Sequence, residues 1–390
     1  MGIERNIDIL KLSPFTIYKF VLQLHLMSKF CIFCGEKPNA KTREHVLPQW
    51  LIELTGDPKR IVNMGFDYFQ KKELIFDWSN FVFPACDSCN NQYSALEDQI
   101  KPIIEKLLRW EVCTGNELIL LMDWLDKVRI GLWLGYYYLQ KNLAGIVPSF
   151  HINNRIRKKD RMLAIHIFDT KELGLNAFGV DTLVFQYAPC CFALKVNSLL
   201  LLNISADYIF SIRCGFPGPR KLCHILDGNK KGRLDASDFI YCQKIKHPIF
   251  KFPMFKPTIV IYQPIMLLDS EERPIGLHLV KDHRYLLSNL IDGSKNVGIL
   301  FRQFIDRVIP INCLDKPIEY DDVTGIHVQP IYKIIASVYD LQNYVYNIIE
   351  WEAENKDLVK KQTEQRDMSI SLNKTFKKNF LSIFEGKKTE

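Results

Sequence analysis

The chain has 390 residues, 47% hydrophobic and 24% charged, with 51 Lys and Arg against 44 Asp and Glu for a formal charge of +7. This composition excludes an intrinsically disordered chain and leaves room for two or three domains with cores of their own. So mild a charge is compatible with a polyanionic partner without requiring one. The eleven cysteines, an odd number with two Cys-x-x-Cys pairs, argue for metal in a reducing, cytoplasmic setting over a disulfide framework.

In chain order, the run Phe15 to Met27 is apolar but carries Lys19 and His25, and no small-residue cleavage site follows it. It is too short to span a bilayer and reads as a packing helix within an N-terminal extension, residues 1–28; no membrane is expected as a partner. Cys31-Ile32-Phe33-Cys34 then opens a segment that Cys86-Asp87-Ser88-Cys89 closes. Two such pairs bring four thiolates to one point, the way a closed tetrahedral zinc site is built, because a tight turn lets both sulfurs of a pair face one ion.

Between the pairs, Thr42 to Leu47 is expected to be a short strand, and Pro48-Gln49-Trp50 the start of a helix that ends at Thr55-Gly56-Asp57-Pro58. Residues 61–84 carry short apolar runs with strand character. Tyr93 to Trp110 and Glu117 to Asn142 change to helical spacing, the first with Pro102 inside it. The second holds Asp123, Asp126, Lys127 and Arg129, which makes it a buried bundle helix and not a membrane span. A basic run follows, Arg155, Arg157, Lys158, Lys159 and Arg161; it suits a phosphate backbone and equally a solvated connector. Strands are expected at Met162–Phe168, Thr182–Tyr187, Cys191–Val196, Ser198–Ile204, Tyr208–Arg213, Thr258–Tyr262 and Ile275–Val280, and a helix over Ile331–Trp351. The polar, lysine-rich end, residues 356–390, reads as a helix fraying into a tail.

Taken in order, Cys31-x-x-Cys34, Glu44-His45-x-x-Pro48, Asn80 and Cys86-x-x-Cys89-Asn90 resemble the HNH endonucleases, the ββα-metal nucleases, in their four-cysteine zinc form. The resemblance covers about residues 29–98. It implies a small ββα-metal, zinc-stabilised domain (29–98). The helical and strand-like runs beyond it add a helical connector (99–150) and a mixed α+β domain of unassigned role (151–355), so the chain is expected to be α+β. The resemblance also implies a hydrolase acting on ester bonds, a metal-dependent endonuclease cleaving phosphodiesters, with double-stranded DNA the favoured partner. Mobile elements and phage defence are the setting by analogy alone.

On that resemblance His45 is the general base, since imidazole titrates near neutral pH. Glu44 and Asn90 hold a catalytic Mg²⁺ or Mn²⁺. Asn80 orients the histidine through its loop, and Cys31, Cys34, Cys86 and Cys89 hold structural Zn²⁺. Three features depart from the pattern: 51 residues separate Cys34 from Cys86, Asn90 stands where many members have His, and Glu44 stands where a shorter Asp is usual. Adjacent strand residues point to opposite faces, so Glu44 and His45 reach one phosphate only from an irregular edge. Asn91 competes with Asn90, and Glu97 is a candidate brace or a solvated helix residue.

Elsewhere, Cys214, Cys223 and His224 lack a fourth partner, Cys190 and Cys191 read as core, and Glu319, Asp321 and Asp322 read as a solvated loop. His278, Asp282 and His283 match no motif. There is no Gly-Lys-Ser/Thr phosphate loop. The rival reading is a non-catalytic zinc-dependent nucleic-acid-binding or interaction protein; the sequence leaves the oligomeric state open.

Overall fold

A helix that is apolar all round needs cover on every side, and the run of Leu118, Leu121, Trp124, Leu125, Val128, Leu132 and Trp133 is such a helix. In the computed structural model, Gly115–Tyr138 forms it, and every residue from Leu121 to Tyr137 is buried. The structure describes residues 30–38, 42–67, 72–138, 148, 150–157, 160–206, 211, 215–216, 218–226, 232–240, 258–264, 290–292, 297–298, 300–304, 307–320, 331–348 and 356–385. For 61–67, 72–76, 218–226, 232–240, 290–292 and 297–298 it describes the backbone alone.

Strand β1 (Thr42–His45) leads into helix α1 (Gln49–Leu54), a hairpin β2–β3 (Ile61–Asp67 and Lys72–Asp77), a 3₁₀ turn (Trp78–Asn80) and strand β4 (Val82–Ala85). β1 and β4 pair antiparallel, with Glu44 opposite Phe83 and His45 opposite Val82. Helix α2 (Asp87–Leu108) follows directly and runs through Pro102; the buried helix Gly115–Tyr138 is α3. Between the paired strands β1 and β4 the chain thus carries one helix, one hairpin and the 3₁₀ turn.

The rest is built on one seven-stranded sheet, antiparallel at every neighbouring pair. Its strands are β5 (Arg161–Ile167), β6 (Leu175–Phe178), β7 (Cys191–Val196), β8 (Leu199–Ile204), β11 (Ile259–Gln263), β14 (Leu300–Phe304) and β15 (Arg307–Ile311), in the order β15-β14-β11-β5-β8-β7-β6. Two further hairpins, β9–β10 (Gly218–Leu226 and Gly232–Ile240) and β12–β13 (Leu290–Asp292 and Val297–Gly298), stand outside it. Period-two alternation splits the central strands between two cores. Leu163, Ile165, Leu201 and Ile261 join α3 and the cysteine-bearing unit, whereas Met162, Ala164, Leu202 and Val260 join Ile334, Val338 and Leu341 of helix α5 (Ile331–Ile348). The chain is therefore mixed α+β, with α3 between the N-terminal unit and one sheet face.

The segment Thr182–Tyr187, expected as a strand, is instead a short helix, α4 (Leu183–Tyr187). Thr182 caps it, its Oγ1 accepting from Phe185 N at 3.1 Å; the cap outweighs the strand propensity of Val184 and Phe185. The lysine-rich end forms a thirty-residue helix, α6 (Lys356–Glu385), that docks on α5: Asn373 is buried and its Nδ2 donates to Gln342 Oε1 at 3.1 Å. The strand expected at Ile275–Val280 lies outside the described residues, as does Tyr208–Arg213 except for Ser211. Among the described residues no helix is long and apolar enough to cross a membrane.

His166, in the central strand β5, is buried with no partner for Nε2 among the described residues. Burial pulls its pKa down to about 3. Between that value and its ordinary 6.5 the unfolded chain binds a proton that the folded chain refuses, so stability falls as pH drops through this window, by about 4–5 kcal/mol at the limit. Urea midpoints at pH 7 and pH 4 are expected to diverge in the native chain and to converge in part in His166→Phe.

Candidate metal centre and histidine site

The four sulfurs of Cys31, Cys34, Cys86 and Cys89 lie within 4.8 Å of one another. None is in a disulfide. An ion with bonds of about 2.3 Å sets tetrahedral sulfurs about 3.8 Å apart, and Cys34 Sγ lies 3.9 Å from Cys86 Sγ. The knuckle is a tight turn: Gly35 N donates to Cys31 O at 2.9 Å and Cys31 N to Glu36 O at 2.7 Å. Gly35 sits at φ +82°, with His151 so close that a Cβ would lie 2.4 Å from its Nδ1; only glycine fits both demands. Ile32 N donates to Pro84 O at 2.9 Å, which fastens the knuckle to β4. Cys86 is the N-cap of α2 and makes no side-chain cap bond, so its thiol is available to the cluster; its N–H points to Cys31 Sγ at 3.3 Å. Burial, then the charges of Cys31 and Cys34, push the Cys89 thiol up. A cation reverses that balance, and the cluster could hold a metal such as zinc.

His45 closes β1 and is half-buried. Its Nε2 lies 3.2 Å from the Ser79 carbonyl. A carbonyl only accepts, so Nε2 carries the hydrogen and the neutral ring keeps its lone pair on Nδ1. The turn presenting that carbonyl is tied to Asp77. Asn80 N donates to Asp77 Oδ1 at 2.9 Å, Asn80 Nδ2 donates to Oδ2 at 2.7 Å, and the Ser79 hydroxyl donates to Oδ1. Ser79 first, then Asn80, hold Asp77 below the usual carboxylate range. Asn80 therefore acts on the turn whose Ser79 carbonyl meets His45. Trp78, buried beside Phe81, fastens the turn to the sheet through Nε1 and Leu175 O at 3.4 Å.

Asn90 is on the first turns of α2, and its Oδ1 is buried with no partner among the described residues. A buried orphan amide oxygen is unfavourable unless something meets it, and it fits a hard cation. Asn91 is exposed. Glu44 is placed differently from the expectation. As strand alternation requires, it points away from His45 into the interior, where its Oε1 meets Lys127 Nζ at 2.6 Å. Lys127 also meets Glu97 and donates to His45 O at 3.2 Å. A carboxylate committed to a buried ammonium is not an open ligand for a second ion. Glu97 is likewise no solvated helix residue. Burial pushes its pKa up to about 7, with Glu44 adding to the rise and Lys127 opposing it.

The basic run turns inward where it is described. Arg157 Nε reaches both oxygens of Asp123, at 2.9 and 2.8 Å. Arg161 is fully buried, with Nη1 2.6 Å from Asp123 and 3.1 Å from Asp126, and with Gln263 on its other edge. Arg155 lies over the Phe150 ring at 3.7 Å. The guanidinium of Arg157 is thus occupied by a carboxylate; Lys158 and Lys159 lie outside the described residues. Cys190 and Cys191 are buried core thiols, and Glu319 is exposed. Cys214, His278, Asp282, His283, Asp321 and Asp322 lie outside the described residues, and the side chains of Cys223 and His224 are not described.

Sequence reasoning missed Lys127 and the Ser79 carbonyl. Lysine is almost never fully buried unless paired, so a lysine in the middle of a helix covered on every side was itself the signal. Its stripe explains the close packing. Gly131 and Gly135 follow Lys127 at helical spacing, and a Cβ on them would lie 2.7 Å from Val46 Cγ1 and from Phe81 Cζ. Gly131→Ala is expected to lower stability by about 1–3 kcal/mol in urea titration, although alanine is the better helix former by about 1 kcal/mol.

Comparison with family models, with curated proteins and with solved structures gave no match to this chain.

Proposed function

We propose that the chain is a zinc-stabilised endonuclease of the HNH type, hydrolysing phosphodiester bonds with DNA as the favoured substrate. The observation that carries this reading is His45 held through Nε2 by the Ser79 carbonyl, on a strand paired with the one that leads into the cysteine-capped helix. With Nδ1 free of the proton, His45 takes one from a water as that water attacks phosphorus and the bond from phosphorus to the leaving sugar oxygen breaks, that oxygen taking a proton from solvent; the Ser79 carbonyl stabilises the imidazolium that forms. Cys31, Cys34, Cys86 and Cys89 would hold Zn²⁺, which would tie the knuckle to the start of α2 where Asn90 lies. A divalent ion such as Mg²⁺ or Mn²⁺, when bound, supplies neutralisation of the phosphate oxygens; Asn90 fits it and Glu44 does not.

The pairing of Glu44 with Lys127 favours a second reading, a zinc-dependent nucleic-acid-binding or interaction protein without cleavage, because it leaves a catalytic ion one expected ligand short. The test is nicking of plasmid, single-stranded DNA and RNA by zinc-loaded protein with Mg²⁺ or Mn²⁺, beside an EDTA control and His45→Ala. Divalent-dependent cleavage lost in the variant supports the nuclease. Binding without cleavage by well-folded protein supports the second reading.

A further inference from the structure

We propose that Lys127 is a positioning residue for His45, setting the strand that bears the histidine against the helix that Cys86 caps and that bears Cys89 and Asn90. This rests on the reading of His45 as the base, and its structural core can be tested without cleavage. Lys127 is fully buried, and its ammonium meets three acceptors, one for each of its hydrogens: Glu44 Oε1 at 2.6 Å, Glu97 Oε1, and the His45 carbonyl at 3.2 Å. Burial alone pulls the lysine down, but Glu97 and then Glu44 outweigh it and hold it above its ordinary value.

Those acceptors lie on different elements. Glu44 and His45 belong to β1; Glu97 lies on α2, seven residues and two turns beyond Asn90 on the same face. His45 is the last residue of β1, where the ladder with β4 stops, so the strand no longer holds its outgoing peptide. The histidine is instead gripped at both ends, its carbonyl by Lys127 from α3 and its ring by the Ser79 carbonyl from the turn. The Gly131 and Gly135 positions bring α3 close enough for this grip, and the Phe33 ring of the cysteine knuckle lies 5.9 Å from the ammonium. A lysine serving packing alone has no need of the histidine carbonyl.

The experiment is ring ¹⁵N NMR of His45 in the full-length, metal-loaded protein. Lys127→Met alone would strand two buried carboxylates and risk unfolding, so the informative variant is Glu44→Gln/Glu97→Gln/Lys127→Met, which keeps shape and removes all three charges. The result expected is retained metal and fold, displaced or doubled His45 ring signals, and a fall in kcat of about 10²-fold with KM for DNA little changed. Glu44→Gln alone, which keeps the bond to the carbonyl, should leave the ring signals in place. A folded, metal-loaded triple variant with His45 signals identical to the native chain would overturn the proposal.

If the triple variant does not fold, the native chain still decides. Selective ¹⁵N-lysine labelling should show a slowly exchanging ammonium correlated with the His45 carbonyl carbon, and its absence would overturn the proposal equally. Displaced His45 signals in a protein whose native form cleaves nothing would keep Lys127 as the positioning residue and remove the nuclease reading. Cleavage with unmoved signals would do the reverse.

Discussion

His45→Ala is expected to slow phosphodiester cleavage by about 10²–10⁴-fold, the range that a positioned general base contributes. The variant should still fold. The ring is half-buried, and its described hydrogen bond is one link to a main-chain carbonyl, so its removal should lower stability by only about 0.5–1.5 kcal/mol. Metal content should be unchanged, because the four sulfurs gather around the knuckle and the start of α2, and the knuckle is held by its own turn and by Pro84. The measurement is single-turnover nicking of supercoiled plasmid alongside metal analysis and a urea titration of the same preparation. Cleavage at the native rate by the variant would remove His45 from the mechanism.

Metal removal should have the larger effect on structure. Stripping the cluster with a strong chelator under reducing conditions, or Cys86→Ser, is expected to unfold the knuckle and the first turns of α2. In small zinc peptides the ion's binding free energy of about 10–16 kcal/mol is folding free energy. Among the described residues few main-chain bonds hold the knuckle: two within its turn and one to Pro84, besides those from Ile152 and Asn153 to Ile32 O and Phe33 O. Hydrogen exchange should show protection lost at residues 30–38 and 86–93 and kept in β5, β8 and β11, whose strands are buried on both faces. Equal loss throughout would mean that the cluster holds the whole chain together.

Much of this architecture could be read from the residues in order. Two Cys-x-x-Cys pairs bring their sulfurs together because the spacing is local to each knuckle, and helical periodicity located α2, α3 and α5 because it records which face is covered. What escaped was set at long range. Nothing near Glu44 announces that a lysine 83 residues later will claim its carboxylate; only strand alternation, which turns it away from His45, gave a hint. Arg157 and Arg161 read as a charged loop because Asp123 and Asp126 lie on a helix some thirty-five residues earlier in the chain. Thr182 turned an apolar run into a helix through one capping bond, a local signal outvoted by the composition around it.

The lysine that crosses from α3 also sets a limit on engineering. A fragment cut after residue 98 would carry Glu44 and Glu97 but lose their counter-ion, and would expose Val46 and Phe81 where Gly131 and Gly135 now cover them. Grafting the cysteine and histidine motif onto another scaffold therefore requires the chain through Tyr138, or neutral replacements at both glutamates. A chimera that respects the motif's own borders would inherit a pair of uncompensated charges at its seam.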